Sequence, residues 1–239
     1  MCDVKVVFVI NGKGGVGKDT LCEAVSRELS VCNVSSITPI KEIAAQCGWD
    51  GSKDDRSRKF LADLKQLCVD YNDYPTAWLR VQYEEFLASD QAVMFVHIRE
   101  PEEIKKFVDA TGGRAKTLLI RAEKRLSKSV YGNGADDNVE NYDYDFIFDN
   151  DGDAEEMAEA FCRFIGEYIR RVIEEKRALE ERGFDILTPL QREAQKRMER
   201  LEAERRKELI AREEAAKNTI IDRLPPRMPR DADKKKRKK

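Results

Sequence analysis

Apolar and polar positions along this chain follow two rhythms. Short continuous apolar runs at residues 4–10, 92–98, 115–120 and 144–148 have the length and β-branched content of buried strands. Between them apolar residues recur every three to four positions, the period of a helix with one buried face. Residues 19–30 predict a first helix with Leu21, Val25 and Leu29 on one side, and a short strand is expected near 34–37. Thr38-Pro39 then predicts a helix start, Thr as N-cap and Pro at the first helical position. Gly48 to Ser52 reads as a turn. Residues 54–71 align Phe60, Leu61, Leu64, Leu67 and Cys68, and residues 75–88 align Trp78, Leu79, Gln82, Tyr83, Phe86 and Leu87; both stripes are expected in the core. A helix over 101–110, a polar segment over 121–142, and a long helix begun by Asp153 with Glu156 as a capping box complete this part. Strands alternating with helices predict an α/β three-layer sandwich with a parallel central sheet. In such sheets ligands sit beyond the carboxyl ends of the strands.

The pattern changes near residue 182. Gly183 breaks the helix and Thr188-Pro189 starts another, but over 189–217 the apolar positions thin to Leu190, Ala194, Met198, Leu201 and Leu209. No heptad persists, so a coiled coil is not favoured; residues 181–224 are expected as a charged helical extension laced with i,i+4 ion pairs. Pro225, Pro226 and Pro229 end it, and residues 225–239, closing on Lys234-Lys235-Lys236-Arg237-Lys238-Lys239, are expected as a disordered basic tail. Charge follows the same division. Charged residues make up 38% of the chain, and residues 170–239 hold 23 Lys/Arg against 15 Asp/Glu, a balance of +8, while the rest holds 21 against 31, a balance of −10. Such a tail suits contact with nucleic acid or another polyanion, and equally a solvated basic tail with no specific partner. The six cysteines form no C-x-x-C pair and there is one histidine, which argues against a structural zinc site and for small core residues in a reducing compartment. No apolar run reaches membrane-spanning length and the chain opens directly on a strand, so a cytoplasmic protein without signal peptide or membrane contact is expected.

Chemistry concentrates in Gly12-Lys13-Gly14-Gly15-Val16-Gly17-Lys18-Asp19-Thr20, directly after the first apolar run. Strand, glycine-rich turn, lysine and helix in this order make the phosphate-cradling P-loop. Glycines let successive backbone N–H groups face one anion, the helix N-terminus adds partial positive charge, and Lys18 reaches the β- and γ-phosphates of ATP. The Ser/Thr that commonly meets Mg²⁺ is replaced by Asp19, with Thr20 next; a carboxylate can hold Mg²⁺ itself, which makes Asp19 the candidate metal ligand. Arg99, Arg121 and Asn150 also follow strand ends, so the topology brings them to the same edge as the loop.

Two families share features with these residues. Lys13-Gly14-Gly15-Val16-Gly17-Lys18 resembles the deviant P-loop of the partitioning ATPases, in which a lysine at the position of Lys13 reaches across a nucleotide-sandwich dimer; that resemblance implies a nucleotide switch or assembly protein acting through its C-terminal extension. It covers the loop alone, and Thr38-Pro39-Ile40-Lys41-Glu42 lacks the acids that family carries after its second strand. A longer series is similar to the phage-type deoxynucleoside monophosphate kinases, a group of P-loop nucleoside-monophosphate kinases: Gly17-Lys18-Asp19-Thr20, Lys41-Glu42-Ile43-Ala44, Gly48-Trp49-Asp50-Gly51, Arg58 to Leu64, Arg99 to Ile104, and Asp149-Asn150-Asp151-Gly152. This resemblance spans residues 4–165 and implies a kinase-like domain over 1–180, with a helical acceptor-covering insertion at 38–90 and a lid at 121–142. It further implies Mg²⁺-dependent phosphoryl transfer from ATP to a nucleoside or deoxynucleoside monophosphate. Lys18, Arg99, Arg121 and Arg125 would be catalytic, with Lys124 and Lys128 in reserve. Arg99 would grip the acceptor phosphate, Arg58 being either a second clamp or a solvated arginine, and Asn150 would lie near the donor base. One departure stands out: many relatives end the strand before the acceptor arginine with Asp, where this chain has His97, so Asp19 is expected to supply carboxylate to the metal instead.

Overall fold

The computed structural model describes residues 4–126, 139–182, 192–193, 196–201 and 203–207, the side chains of Arg125 and Leu126 excepted. The chain divides into two compact units, residues 1–194 and 195–239. In the first, the elements run β1 (Val6–Asn11), α1 (Lys18–Glu28), β2 (Val31–Ser35), α2 (Thr38–Gln46), α3 (Asp55–Asn72), α4 (Tyr74–Ala88), β3 (Val93–His97), α5 (Pro101–Ala110), β4 (Lys116–Arg121), α6 (Glu123–Leu126), β5 (Phe146–Asp149) and α7 (Ala154–Glu181).

The five strands form one sheet in the order β2-β3-β1-β4-β5, with every pairing parallel. β1 lies at its centre, in register with β3 from Val6↔Val93 to Ile10↔His97 and with β4 from Phe8↔Lys116 to Asn11↔Leu119. Because side chains alternate across a strand, Val6, Phe8 and Ile10 enter one core with Val93, Phe95, Leu118 and Ile120, while Val7 and Val9 enter the other with Met94 and Val96. The first core is covered by α1 and α7. Phe161 and Ile165, one turn apart on α7, are fully buried there, and Phe8 packs edge-on to Tyr168 at 4.9 Å between ring centres. The second is covered by α4 and α5 through Leu79, Tyr83, Phe86, Ile104 and Phe107. Each fully buried side chain of this size contributes about 1.5–3 kcal/mol. The first unit is therefore the three-layer α/β sandwich that the alternating pattern predicts.

Local signals agree in part. Asp153 caps α7, its carboxylate accepting from the Glu155 amide at 2.9 Å, and Asp54 caps α3 from the Ser57 amide at 2.7 Å, a bond that holds the Asp54 carboxyl below its ordinary range. Thr38 is not a cap: it is already helical, Ile37 precedes it, and no side chain bonds the first turn of α2. The second strand begins at Val31 rather than near residue 34, because pairing with β3 fixes its extent and its half-buried sequence gives a weak apolar signal.

The largest correction concerns α3. No residue of α3 is buried; Leu67 is 66% exposed, Tyr71 87% and Phe60 36%. The helix packs on α2 and α4 rather than on the sheet, so its apolar stripe lacks the strand surface that covers α4. What ties it inward is an ion pair of low exposure, Lys65 Nζ to Glu103 Oε2 at 2.8 Å, reaching α5. The cysteines need a similar correction: of the five described, Cys22 is buried, Cys32, Cys68 and Cys162 are half-buried, and Cys47 is exposed.

In the second unit, residues 196–201 and 203–207 are helical, with Met198 and Leu201 exposed. Cys2, Gly183, the Thr188-Pro189 helix start, Leu209, the proline cluster and the basic tail over 225–239 lie outside the described residues.

Two leucines of neighbouring helices test this packing. Leu79→Ala should destabilise by about 2–5 kcal/mol, whereas Leu67→Ala should change stability by no more than about 0.5 kcal/mol, measured as shifts of the urea midpoint at constant slope.

Candidate functional site

The site begins where β1 runs out of strand. Val6 to Asn11 is buried throughout, and Gly12 then turns with φ 149°. A Cβ on Gly12 would lie 2.5 Å from the Ile120 carbonyl oxygen and 2.9 Å from Val16 Cγ2, so the loop leaves the sheet in contact with β4 and only glycine fits. Val16, 1% exposed, buries its side chain in the core below and anchors the middle of the loop. Gly17, with φ 88°, turns the chain into α1, whose first residue is Lys18. The Lys18 ammonium donates to the carbonyl oxygens of Gly12 (2.5 Å) and Lys13 (2.9 Å), folding its charge over the loop. Asp19 and Thr20 follow in the first turn, both exposed.

Three further strand ends meet this loop. Asn11, 1% exposed, accepts from the Gly12 amide through Oδ1 at 2.8 Å and donates through Nδ2 to the Arg99 carbonyl at 3.0 Å, which links the loop to the residues after β3. Asn150, after β5, donates from its backbone to the Arg121 carbonyl and from its side chain to the Val16 carbonyl, each at 2.7 Å. Its amide is 5% exposed, so in the structure it braces the loop from below. Arg121, at the end of β4, has its Nε buried with no hydrogen-bond partner, a donor that an incoming anion can satisfy. The P-loop, Arg99, Arg121 and Asn150 thus share one edge of the sheet. Arg58 stands in the exposed first turn of α3. Arg125 is in α6, but its side chain lies outside the described residues, as does Lys128; the Lys124 backbone is held by Asp151 Oδ1 at 2.9 Å.

Sequence reasoning missed four members of this edge. Asn11 had a signal, a polar side chain ending an otherwise apolar strand. Tyr144, Val139 and Glu140 had none: the Tyr144 hydroxyl accepts from Asn11 Nδ2 at 2.8 Å and donates to the Val139 carbonyl at 2.8 Å, and Glu140 pairs with Lys13 at 2.8 Å. The Lys13 ammonium, hydrogen-bonded to it, holds the Glu140 carboxyl below its ordinary range.

His97, at the end of β3, lies among Asp19, Lys18 and Arg99. Its Nε2 is 2.8 Å from Asn33 Oδ1 and 4.0 Å from Cys22 Sγ; an amide oxygen only accepts, so Nε2 bears the hydrogen. Burial pushes the imidazole below its ordinary value, an effect that Asp19 opposes and that Lys18 and Arg99 reinforce. His97 is thus a neutral imidazole hydrogen-bonded through Nε2 to Asn33. Burial also pushes the Cys22 thiol up to about 12, too high to form a thiolate nucleophile.

Among the described residues no group of three His, Cys, Asp or Glu is arranged to hold a metal ion. The exposed carboxylate of Asp19 beside the phosphate loop is an oxygen donor of the kind Mg²⁺ takes when phosphates supply its other ligands, so the donor chemistry fits that ion. No helix among the described residues is long and apolar enough to cross a membrane.

No family model matches the chain, and no curated protein matches it. Among solved structures it is similar to a gluconokinase from Sinorhizobium meliloti 1021, at 13% identity over 71% of this chain and 97% of that one, with a TM-score of 0.41. It is also similar to a shikimate kinase from Bacteroides thetaiotaomicron, at 15% identity over 69% and 98% with a TM-score of 0.37. A shikimate kinase from Aquifex aeolicus gives 11% identity over 65% and 93%, again at 0.37. At these values the functional reading rests on this chain's own residues.

His97 is the single histidine of the chain, which makes its linkage measurable. Its folded pKa lies below the ordinary 6.5, so the unfolded chain binds the extra proton first and stability is lost as pH falls from 6.5 toward the folded value. Urea midpoints between pH 5 and 8 should fall toward acid more steeply for the native protein than for His97→Gln.

Proposed function

We propose that this protein transfers the γ-phosphoryl group of ATP to a nucleoside or deoxynucleoside monophosphate. The observation that carries the reading is the single side chain of Asn11 joining a phosphate loop to the backbone of Arg99. A donor-phosphate cradle and an arginine on the neighbouring strand end are then held at one edge, as transfer between two anions requires.

The acceptor's phosphate oxygen is already anionic near neutral pH, so no strong general base is needed. That oxygen forms the new bond to the γ-phosphorus while the bond from phosphorus to the β–γ bridging oxygen breaks, releasing ADP and the nucleoside diphosphate. The protein's task is alignment and charge neutralisation. Lys18 and the amides of Gly12 to Thr20 would take the donor's β- and γ-phosphates, with the partial charge of the α1 N-terminus adding to them. Arg99 would bind the acceptor phosphate bidentately, with Arg58 as a second clamp once the 38–90 insertion covers the acceptor. Residues 121–142 would close over the phosphates, contributing Arg121, whose buried Nε still lacks an acceptor, and Arg125. Asn150 would keep the loop's shape on the donor side. Asp19 would hold Mg²⁺ together with the donor phosphates, and the ion would supply neutralisation of their charge. Residues 181–224 would form a charged helical extension to this domain.

The test is diphosphate formation from ATP, Mg²⁺ and a panel of ribo- and deoxyribonucleoside monophosphates. One acceptor should turn over. Lys18→Ala and Arg99→Ala should each lower turnover by about 10²–10³-fold, Arg99→Ala with the larger rise in acceptor KM. ATP binding with no turnover on any acceptor would overturn the kinase reading in favour of a nucleotide switch. Asp19→Ala should raise the Mg²⁺ concentration needed for half-maximal rate, and full retention of the native Mg²⁺ dependence would remove Asp19 from the metal site.

A further inference from the structure

Burying an amide is costly unless each of its polar atoms finds a partner, and Asn11 is the one polar side chain in the buried strand β1. Three of its four hydrogen-bonding directions are defined, two donated by Nδ2 and one accepted by Oδ1. The Gly12 N–H needs an acceptor and the Arg99 carbonyl needs a donor, so Oδ1 faces the first and Nδ2 the second; a flipped amide would set donor against donor. Nδ2 also donates to the Tyr144 hydroxyl, which must then turn its own hydrogen to the Val139 carbonyl. Burial pushes the Tyr144 phenol up to about 12, so that hydrogen stays in place across the working pH range. Val139 is itself buried. Beside this relay Glu140 pairs with Lys13 of the loop.

We infer that Asn11 and Tyr144 are positioning residues that keep the phosphate loop, the backbone of Arg99 and residues 139–144 in one register. This rests on the kinase reading for its catalytic consequence, since residues 139–142 end the segment proposed to close over the phosphates. It goes beyond that reading in assigning the alignment of donor and acceptor cations to a neutral relay of a buried amide and a half-buried phenol rather than to any group that touches phosphate. The relay passes through side chains 133 residues apart in sequence, so nucleotide in the loop alters the order of residues 99–104 and 139–144 through it.

Tyr144→Phe deletes one hydroxyl and leaves the ring in place. It should lower kcat by about tenfold, the scale of one buried hydrogen bond, while ADP affinity by calorimetry stays within about twofold. Hydrogen exchange gives a second readout that needs no turnover: ADP should slow exchange over 12–18, 99–104 and 139–144 in the native protein, and over 12–18 and 99–104 but not 139–144 in Tyr144→Phe, which keeps the direct Asn11–Arg99 bond. Asn11→Ala combined with Tyr144→Phe should cost no more than Asn11→Ala alone, as expected of one relay. Unchanged kcat, a parallel loss of ADP affinity, additive losses in the double variant, or undiminished protection at 139–144 would each overturn the inference. If Asn11→Ala does not fold, Tyr144→Phe decides by itself. Should the native protein phosphorylate no acceptor, the exchange pattern still judges the relay, so its failure and that of the kinase reading are told apart.

Discussion

At the end of β1 there is no space between residue 12 and the Ile120 carbonyl oxygen for even a methyl group. The closeness follows from the parallel register, which sets Asn11 beside Leu119 and carries the loop across the carboxyl edge of β4. It makes the loop's entry, the start of Arg121 and, through the Asn150 amide on the Arg121 carbonyl, the exit of β5 parts of one packed body. Interiors packed at this density transmit displacement rather than absorb it. The glycine-rich loop therefore inherits its shape from the sheet, and each cation that follows a strand end inherits its place from the same register.

Around that body the charges are managed rather than simply accumulated. Lys18 lies over loop carbonyls, Lys13 pairs with Glu140, and His97 stays neutral between Asp19, Lys18 and Arg99. A positive charge on His97 would be poorly solvated and would oppose its cationic neighbours Lys18 and Arg99, in a position where Coulomb interactions are several times stronger than in water. The hydrogen bond to Asn33 satisfies the neutral ring instead.

α3 and α4 show how the same helical period leads to opposite outcomes. Leu79, Tyr83 and Phe86 of α4 lie over the sheet and vanish from solvent, whereas Phe60, Leu67 and Tyr71 of α3 have no sheet beneath them. α3 is held by its neighbours and by the Lys65–Glu103 pair. An ion pair of this kind owes its strength to geometry rather than to area removed from water, and breaking it leaves Glu103 buried and uncompensated.

What depends on neighbours along the chain was legible without the fold. The run into Gly12, the spacing to Lys18, the start of α1, the cap at Asp153 and the alternation that builds a parallel sandwich are all local, set by backbone sterics and the period of apolar positions. Tertiary structure decided the rest. Whether a stripe is covered depends on what stands opposite it, which separated α3 from α4. The partners of Asn11 and Asn150 depend on sheet register, which joins Asn11 to Tyr144 and Asn150 to Val16 across more than half the chain. Periodicity reports that a residue prefers burial; only the three-dimensional arrangement supplies the surface or the hydrogen-bonding atom that receives it.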